Sequence, residues 1–384
     1  MSPLRRAALL VALGAWAARP AQASQAAQAV QAAQAGAVAP LRAQNVDSAD
    51  PVRRGRVLRF PRDHGAHLAA RIEWWYATGW LGREDAPTAG FQLTFFRSRT
   101  GLAQDNRSRF AARHLLFAHA ALTRLGPPSG QTGTHMHDQR ISRWSGDGAS
   151  ALGHAALDDG AVQIGPWSLR LDGQAWRARV PARGFALDLT LTRTQPLLLQ
   201  GDGGFSRKGP EEAQASHYYS EAQLQAAAAD GSRGRAWLDH EWSDLVLHPQ
   251  AVGWDWIGIN LFDGSALTAF VLRKQDGSAL WAGGSFRAAG GAVQAFTPEQ
   301  VRFTAGRRWQ SPDSGTAYPV QWHVDTPAGR FEVRALLDAQ ELDSRHSTGT
   351  IYWEGLSELL GAQGRRVGLG YLEMTGYAAP LRLN

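Results

Sequence analysis

Residues 253–277 read GWDWIGINLFDGSALTAFVLRKQDG. An acid and a tryptophan lead an alternating apolar run, a turn at Asp263, Gly264 and Ser265 interrupts it, and a second apolar run closes on Arg273. Two such runs joined by so short a turn predict an antiparallel hairpin. The pattern occurs earlier too: EWWYATGWL (73–81) is followed, after a loop, by FQLTFFRSRTG (91–101). This repeat predicts two units of one fold. Further runs, FALDLTLTR (185–193), RFEVRAL (330–336) and VGLGYLEMTGY (367–377), lie between turns containing Gly, Asp or Pro. The chain is therefore expected to be all-β, with two tandem antiparallel barrels whose closure protects the strand edges. SEAQLQAAAAD (220–230) is the best short helix, with Ser220 able to cap it. A boundary near Ser220 divides the expected barrels into residues 55–220 and 221–384.

At 384 residues the chain has length for two domains. Arg5 and Arg6, the apolar run Ala7–Ala18 and the small residues around Ala21 and Ala23 predict a cleaved export signal over 1–23, hence a periplasmic or secreted protein. The Ala/Gln-rich stretch that follows is expected to be a disordered linker as far as residue 54. No segment of the mature chain is long and apolar enough to predict a membrane-spanning helix. With no cysteine, disulfide staples, lipoprotein anchoring and thiolate chemistry are excluded. The formal charge of +6 falls to 6 − 3 = +3 once Arg5, Arg6 and Arg19 leave with the leader, an excess too small to indicate nucleic acid.

Strand alternation assigns faces. Glu73 shares one with Trp75, Ala77 and Leu81, and Asp255 shares one with Ile257, Ile259 and Leu261. Acids on apolar faces need partners, so the hairpins predict two inward ion pairs, Glu73 opposite Arg97 and Asp255 opposite Arg273, as structural pins. In AWLDHEWSD (236–244), alternation turns His240 and Trp242 together toward a hollow in the C-terminal half and sets Trp237, Asp239 and Glu241 on the other face.

A set of segments, AHLAARIEWWYATG (66–79), FAHAALTR (117–124), PLLLQGDGGFSRKG (196–209), SHYYS (216–220), AWLDHEWS (236–243), GWDWIGINLFDG (253–264), IYWEG (351–355) and GLGYLEMTGY (368–377), resembles the AttH and carotenoid 1,2-hydratase (CrtC-like) family from about Val57 to Tyr377. Secreted members of that family are often labelled predicted hydrolases. The resemblance implies two consecutive lipocalin-like barrels and, for the hydratases, acid-assisted addition of water to a C=C bond without a cofactor. That chemistry needs a carboxylic acid kept protonated by desolvation, an aromatic face for the cation and a base to guide water. His240 and Trp242 match the family's His-x-Trp. The hydratases also carry a Tyr-x-Asp on the next strand, whereas ALTAFVLR (266–273) offers no aspartate.

The expected catalytic residues are His240, Trp242, Asp239, Glu241 and Asp255, with Trp75, Tyr219, Trp254 and Trp256 binding a hydrophobic, isoprenoid or lipid-like molecule in a barrel cavity. No cofactor and no metal are expected. His64, His67 and Glu73 have usable spacings but no zinc signature, and His135 and His137 read as an exposed loop pair. His119 reads as a core or seam histidine. A rival expectation makes the cavity a non-catalytic carrier or an accessory of an envelope ABC transporter; another is a carbohydrate-binding module. A ligand-sized cavity holding a carboxylate without an arginine partner favours chemistry, ion-paired acids in a filled barrel favour a structural role, and tryptophans along a surface groove favour sugars.

Overall fold

In the first sheet the strands are β1 (Ile72–Gly82), β2 (Pro87–Arg99), β3 (His114–Leu125), β4 (Gly133–Trp144), β5 (Gly153–Ala155), β6 (Ala161–Ile164), β7 (Trp167–Asp172), β8 (Ala175–Pro181), β9 (Ala186–Thr192), β10 (Leu198–Leu199), β11 (Phe205–Arg207), β12 (Ala215–Ala228) and β13 (Arg233–Ser243). They pair in the order β4-β3-β2-β1-β13-β12-β9-β8-β7-β6-β5, with β10 and β11 on β12. Its end strands approach each other, so the sheet nearly closes. The second sheet contains β14 (Gly253–Leu261), β15 (Ala266–Arg273), β16 (Ala279–Arg287), β17 (Val293–Phe296) and β18 (Arg302–Ala305), then, after the separate pair β19 (Arg308–Gln310) and β20 (Ala317–Pro319), β21 (Gln321–Thr326), β22 (Gly329–Ala335), β23 (Glu341–Ser344), β24 (Thr350–Leu360) and β25 (Arg366–Met374). Its order is β17-β16-β15-β14-β25-β24-β22-β21-β18, with β23 on β24. This computed structural model describes residues 51–381 apart from 103, 107, 109, 127–131, 147–149, 151 and 246. The export signal and nearly all of the linker expected from the sequence lie outside the described residues.

The two sheets repeat one connection: the first strand of each lies between the second and the last, β1 between β2 and β13, β14 between β15 and β25. Both repeats seen in the sequence are these opening hairpins. The chain passes from one sheet to the other between Ser243 and Gly253, not at Ser220. The helix expected over 220–230 is instead the C-terminal part of β12 and the turn that follows it, the strand bonded to β13 on one side and β9 on the other. Alanine favours helix only weakly against a place between two strands, and Ala222, Leu224 and Ala226 fill buried positions there. A bulge between Glu221 and Leu224 puts Gln223 at φ 59°, and its side chain donates to Leu261 O (2.8 Å) and Ser265 O (2.6 Å), pinning β12 to the β14–β15 turn.

Each sheet wraps its own apolar core, the first around Trp75, Trp167 and Trp176, the second around Ile257, Trp322 and Trp353. A third cluster, with Tyr76, Trp80, Trp237, Trp256, Phe270 and Tyr371, lies on the opposite faces of β1, β13, β14, β15 and β25, where the two sheets pack together. The seam strands are thus buried on both faces; all eight residues of β15 are buried. Fully burying one large apolar side chain contributes about 1.5–3 kcal/mol, so the seam binds the two sheets firmly.

Candidate active site

Strand β13 divides the polar residues of residues 236–244 between two environments. On its barrel side, His240 and Trp242 join a filled cluster with residues from β1, β2, β12 and the turn preceding β1. Glu73 Oε1 lies 2.9 Å from His240 Nε2 and 2.7 Å from His67 Nδ1, while its Oε2 accepts from Arg97 Nε at 2.8 Å. Arg97 and Glu73 are cross-strand partners, and both side chains are fully buried. Asp63 lies 3.1 Å from His67 Nε2, and the Tyr219 hydroxyl joins His64 Nδ1 (2.6 Å) to His240 Nδ1 (3.2 Å). Trp242 stacks flat on His67 at 3.6 Å and Trp75 on His240 at 4.7 Å. Burial works against charge on Glu73, but Arg97, His67 and His240 hold its carboxyl well below the ordinary range.

This arrangement corrects the sequence expectation. His240 and Trp242 do turn together, but within the first sheet rather than in the C-terminal half, and they meet packed rings instead of a hollow. Trp75 and Tyr219, expected to bind ligand, belong to the same filled cluster, and none of the four lines the cavity described below. Both faces of β13 are buried, so alternation alone could not say which one is empty. His67, Glu73 and His240 offer ligand atoms within 4.8 Å of one another, as a metal site would. Direct hydrogen bonds among them and the Arg97 ion pair already satisfy these groups.

Asp255 is also held in a buried ion pair. It lies 2.8 Å from Arg273 Nε and accepts from the Tyr377 hydroxyl at 2.9 Å, inside the second sheet and away from the cavity. Its register differs from expectation. The turn consists of Phe262, Asp263 and Gly264, with Leu261 N donating to Ser265 O and Gly264 at φ 88°. Asp255 therefore faces Val271, and the ion pair reaches diagonally to Arg273, which faces Gly253. His135 and His137 stand on strand β4, half-buried rather than in a loop, bonded to Thr123 Oγ1 and Asp343 N.

On the other side of β13 the seam opens into a cavity of about 420 Å³. Trp74, Tyr76, Tyr218, Trp254, Trp256 and Phe270 form aromatic walls, and Leu115, Leu245, Leu247 and Leu272 add apolar surface. Into it project Asp239 and Glu241 from the first sheet and Glu354 and Glu373 from the second. Asp239 accepts from Tyr218 (2.8 Å), Ser220 (2.5 Å) and Trp237 Nε1 (2.7 Å). Glu241 accepts from Ser216 and lies 3.0 Å from Lys208 Nζ. Glu354 and Glu373 face each other directly across β24 and β25. Oε1 of Glu354 is buried without a hydrogen-bond partner, and the Tyr76 hydroxyl lies near enough to oppose the rise of its carboxyl. Among the described residues, Asp239, Glu354 and Glu373 have no cationic partner within ion-pair distance.

Burial pushes Asp239 up to about 7 against its three hydrogen bonds, with the Glu241 charge adding to the rise. Burial likewise pushes Glu373 up to about 8; Trp254 opposes it, and Asp239 and Glu241 reinforce it. Glu354 is raised well above the ordinary value by burial and by the Glu373 charge beside it. Such a site keeps carboxylic acids protonated near neutrality, poised for proton transfer. Of the residues singled out in the sequence, Asp239, Glu241, Trp254 and Trp256 line this cavity; Lys208, Glu354 and Glu373 line it too and were not among them. The signal available for the two glutamates was their place in IYWEG and GYLEM, each an acid inside an otherwise apolar strand.

The AttH-like family model matches residues 51–377. The chain belongs to this family. A crystal structure of a protein from Nitrosomonas europaea named after AttH is 43% identical, covering 85% of this chain and 99% of that one, with a TM-score of 0.75. Kievitone hydratase from Nectria haematococca (12% identity, 86% and 97% coverage, TM-score 0.60) and the protein CghA (15%, 86% and 95%, TM-score 0.50) share the fold with this AttH-like protein. No curated protein sequence matches the chain.

Proposed function

We propose that this AttH-like protein is a cofactor-independent hydratase whose hydrophobic, isoprenoid or lipid-like substrate binds in the seam cavity. The observation that carries this reading is a ligand-sized aromatic cavity containing Asp239, Glu354 and Glu373 without arginine partners. In this mechanism the carboxyl of Glu373, sharing its site with Glu354, gives its proton to one alkene carbon as the π bond breaks. The adjacent carbon becomes cationic against the aromatic faces of Trp254 and Trp256. Water adds there and loses a proton to Asp239, which ionises below Glu373 as pH rises. The glutamates of β24 and β25 thereby supply the acid that β15 lacks. His240 and Trp242 act as positioning residues, holding β13 in place through Glu73. Kievitone hydratase is a hydratase by name, which accords with this chemistry on this fold.

With residues 1–23 read as a leader, the reaction would run in the periplasm or outside the cell. No helix among the described residues is long and apolar enough to cross a membrane. The carrier reading uses the same cavity without turnover. A carbohydrate-binding module has less support, since no described tryptophan is exposed. Purified protein incubated with a bacterial envelope lipid extract, followed by mass spectrometry, tests the proposal. A molecule that gains one water with wild type but not with Glu373→Gln supports hydration; retention of an unaltered molecule indicates a carrier.

A further inference from the structure

Among the described residues eight large apolar side chains are exposed, and none lies beyond Leu245, so the second sheet contributes none of them. Four gather where the seam cavity reaches the surface. Leu245 (40% exposed) lines the cavity itself. Leu102 (72%) and Phe110 (71%) stand on the loop joining β2 to β3, and Ser98 and Leu115, on either side of that loop, line the cavity too. Ile141 (50%) extends the same wall outward: the cross-strand row Phe96, Phe117, Ile141 runs over β2, β3 and β4, and its first two members line the cavity. In the next row on that face Leu115 pairs with Arg143, whose guanidinium sits 5.8 Å from the centre of the Phe110 ring and so joins the loop to β4. Further arginines surround the loop, since Arg99 N donates to Arg71 O and Thr100 N to Arg113 O. Asp105 is the one acid in residues 100–113.

Single exposed apolar residues are ordinary, but a group of them rimmed by cations at the mouth of a cavity marks a contact surface. We propose that the β2–β3 loop and the outer face of β4 dock on an anionic lipid bilayer, with Leu102 and Phe110 entering the headgroup layer and the arginines meeting lipid phosphates. Relative exposure favours a bilayer over a folded acidic partner. Arg71, Arg99 and Arg113 are half-buried, whereas Leu102 and Phe110 stand well clear of the surface. These apolar side chains would hold an acidic protein surface away from the arginines. In a leaflet the acyl region lies beyond the phosphates, which is the order this patch presents. Docked in this way, the protein turns the cavity mouth at Leu115 and Leu245 toward lipid. Docking is independent of the cavity's chemistry, because vesicle binding and turnover are separate readouts and either can fail alone.

The test is sedimentation of the full chain with vesicles of equal parts phosphatidylcholine and phosphatidylglycerol, and with vesicles of phosphatidylcholine alone. Wild type should bind the anionic vesicles more tightly, and added salt should weaken that binding. Phe110→Ser and Arg143→Glu change exposed side chains, so both should fold, and each should weaken binding to the anionic vesicles about fivefold or more. Arg330→Glu makes the same change of charge on β22, at a side chain 91% exposed in the second sheet, and should alter binding less than about twofold. Hydrogen exchange read by mass spectrometry localises the contact: the anionic vesicles should slow exchange in residues 100–113 and leave β22 unchanged. Because every variant carries the same N-terminal segment, any binding by that segment is common to all. Equal weakening by Arg143→Glu and Arg330→Glu, no effect of Phe110→Ser, or exchange in residues 100–113 that vesicles do not slow would overturn the proposal. Protection of that loop without vesicles, rising with protein concentration, would overturn it in favour of a second copy of the chain.

Discussion

The two faces of β13 use the same kinds of residue to opposite ends. Toward the first barrel, Glu73 meets an arginine and two histidines, and its carboxyl is held well below the ordinary range. Toward the seam, Asp239 meets hydroxyls, an indole and other acids, and it rises to about 7. Both acids are buried, so burial does not distinguish them. The partner does: a matched buried charge serves stability, and an unmatched one is forced toward its neutral form, where it can give up a proton.

The largest effect should come from removing the unmatched acids. Glu373→Gln and Asp239→Asn should each lower turnover by about 10²–10⁴-fold while leaving the fold intact, as measured by product formation alongside circular dichroism. Turnover that survives both changes would place the chemistry elsewhere. Next comes Glu73→Gln, which strands the Arg97 charge inside the barrel. It should cost about 3–5 kcal/mol in denaturant unfolding, and a loss under 1 kcal/mol would mean that the cluster is no pin.

Linkage to pH gives a smaller contrast of opposite sign. Glu73 has a depressed folded-state value, so the stability it contributes is present above its unfolded value of about 4.3 and is lost as pH falls through the folded one. Asp239 and Glu373 have raised values, about 7 and about 8. Their contribution is complete below the unfolded values of about 4 and is lost as pH rises toward 7 and 8. The histidines His64, His114, His119 and His135, held low by burial, add stability as pH rises to their unfolded value of about 6.5. Thermal unfolding should therefore show the carboxyl-driven fall between about pH 7 and pH 8, and Glu373→Gln should flatten that slope. The smallest effect belongs to His135→Ala, which removes one hydrogen bond to Thr123 and should cost about 1 kcal/mol with no change in turnover. His240→Ala should cost more than this in stability, because it takes a partner from Glu73.

Much of this contrast was legible in the residues themselves. Alternation set His240 and Trp242 on one face of their strand and Asp239 and Glu241 on the other, and the first hairpin's pattern set Glu73 opposite Arg97; that Glu73 meets His240 follows only from the pairing of β1 with β13. Three things were hidden. Which face of β13 borders empty space depends on packing between sheets, which a strand's period does not encode. Glu354 and Glu373, well separated in sequence, become a pair only through the register of β24 and β25. In residues 220–230 the alanines speak for helix, and only the competition of β13 and β9 for their backbone turns them into strand.

The most direct test is a carboxyl-carbon NMR titration of the protein labelled at aspartate and glutamate. Resonances assigned by Asp239→Asn and Glu373→Gln should titrate near pH 7 and 8, while Glu73 stays ionised throughout that range. Side-chain carboxyls all ionised by about pH 5, as they are in water, would contradict the presence of a protonated acid in the seam.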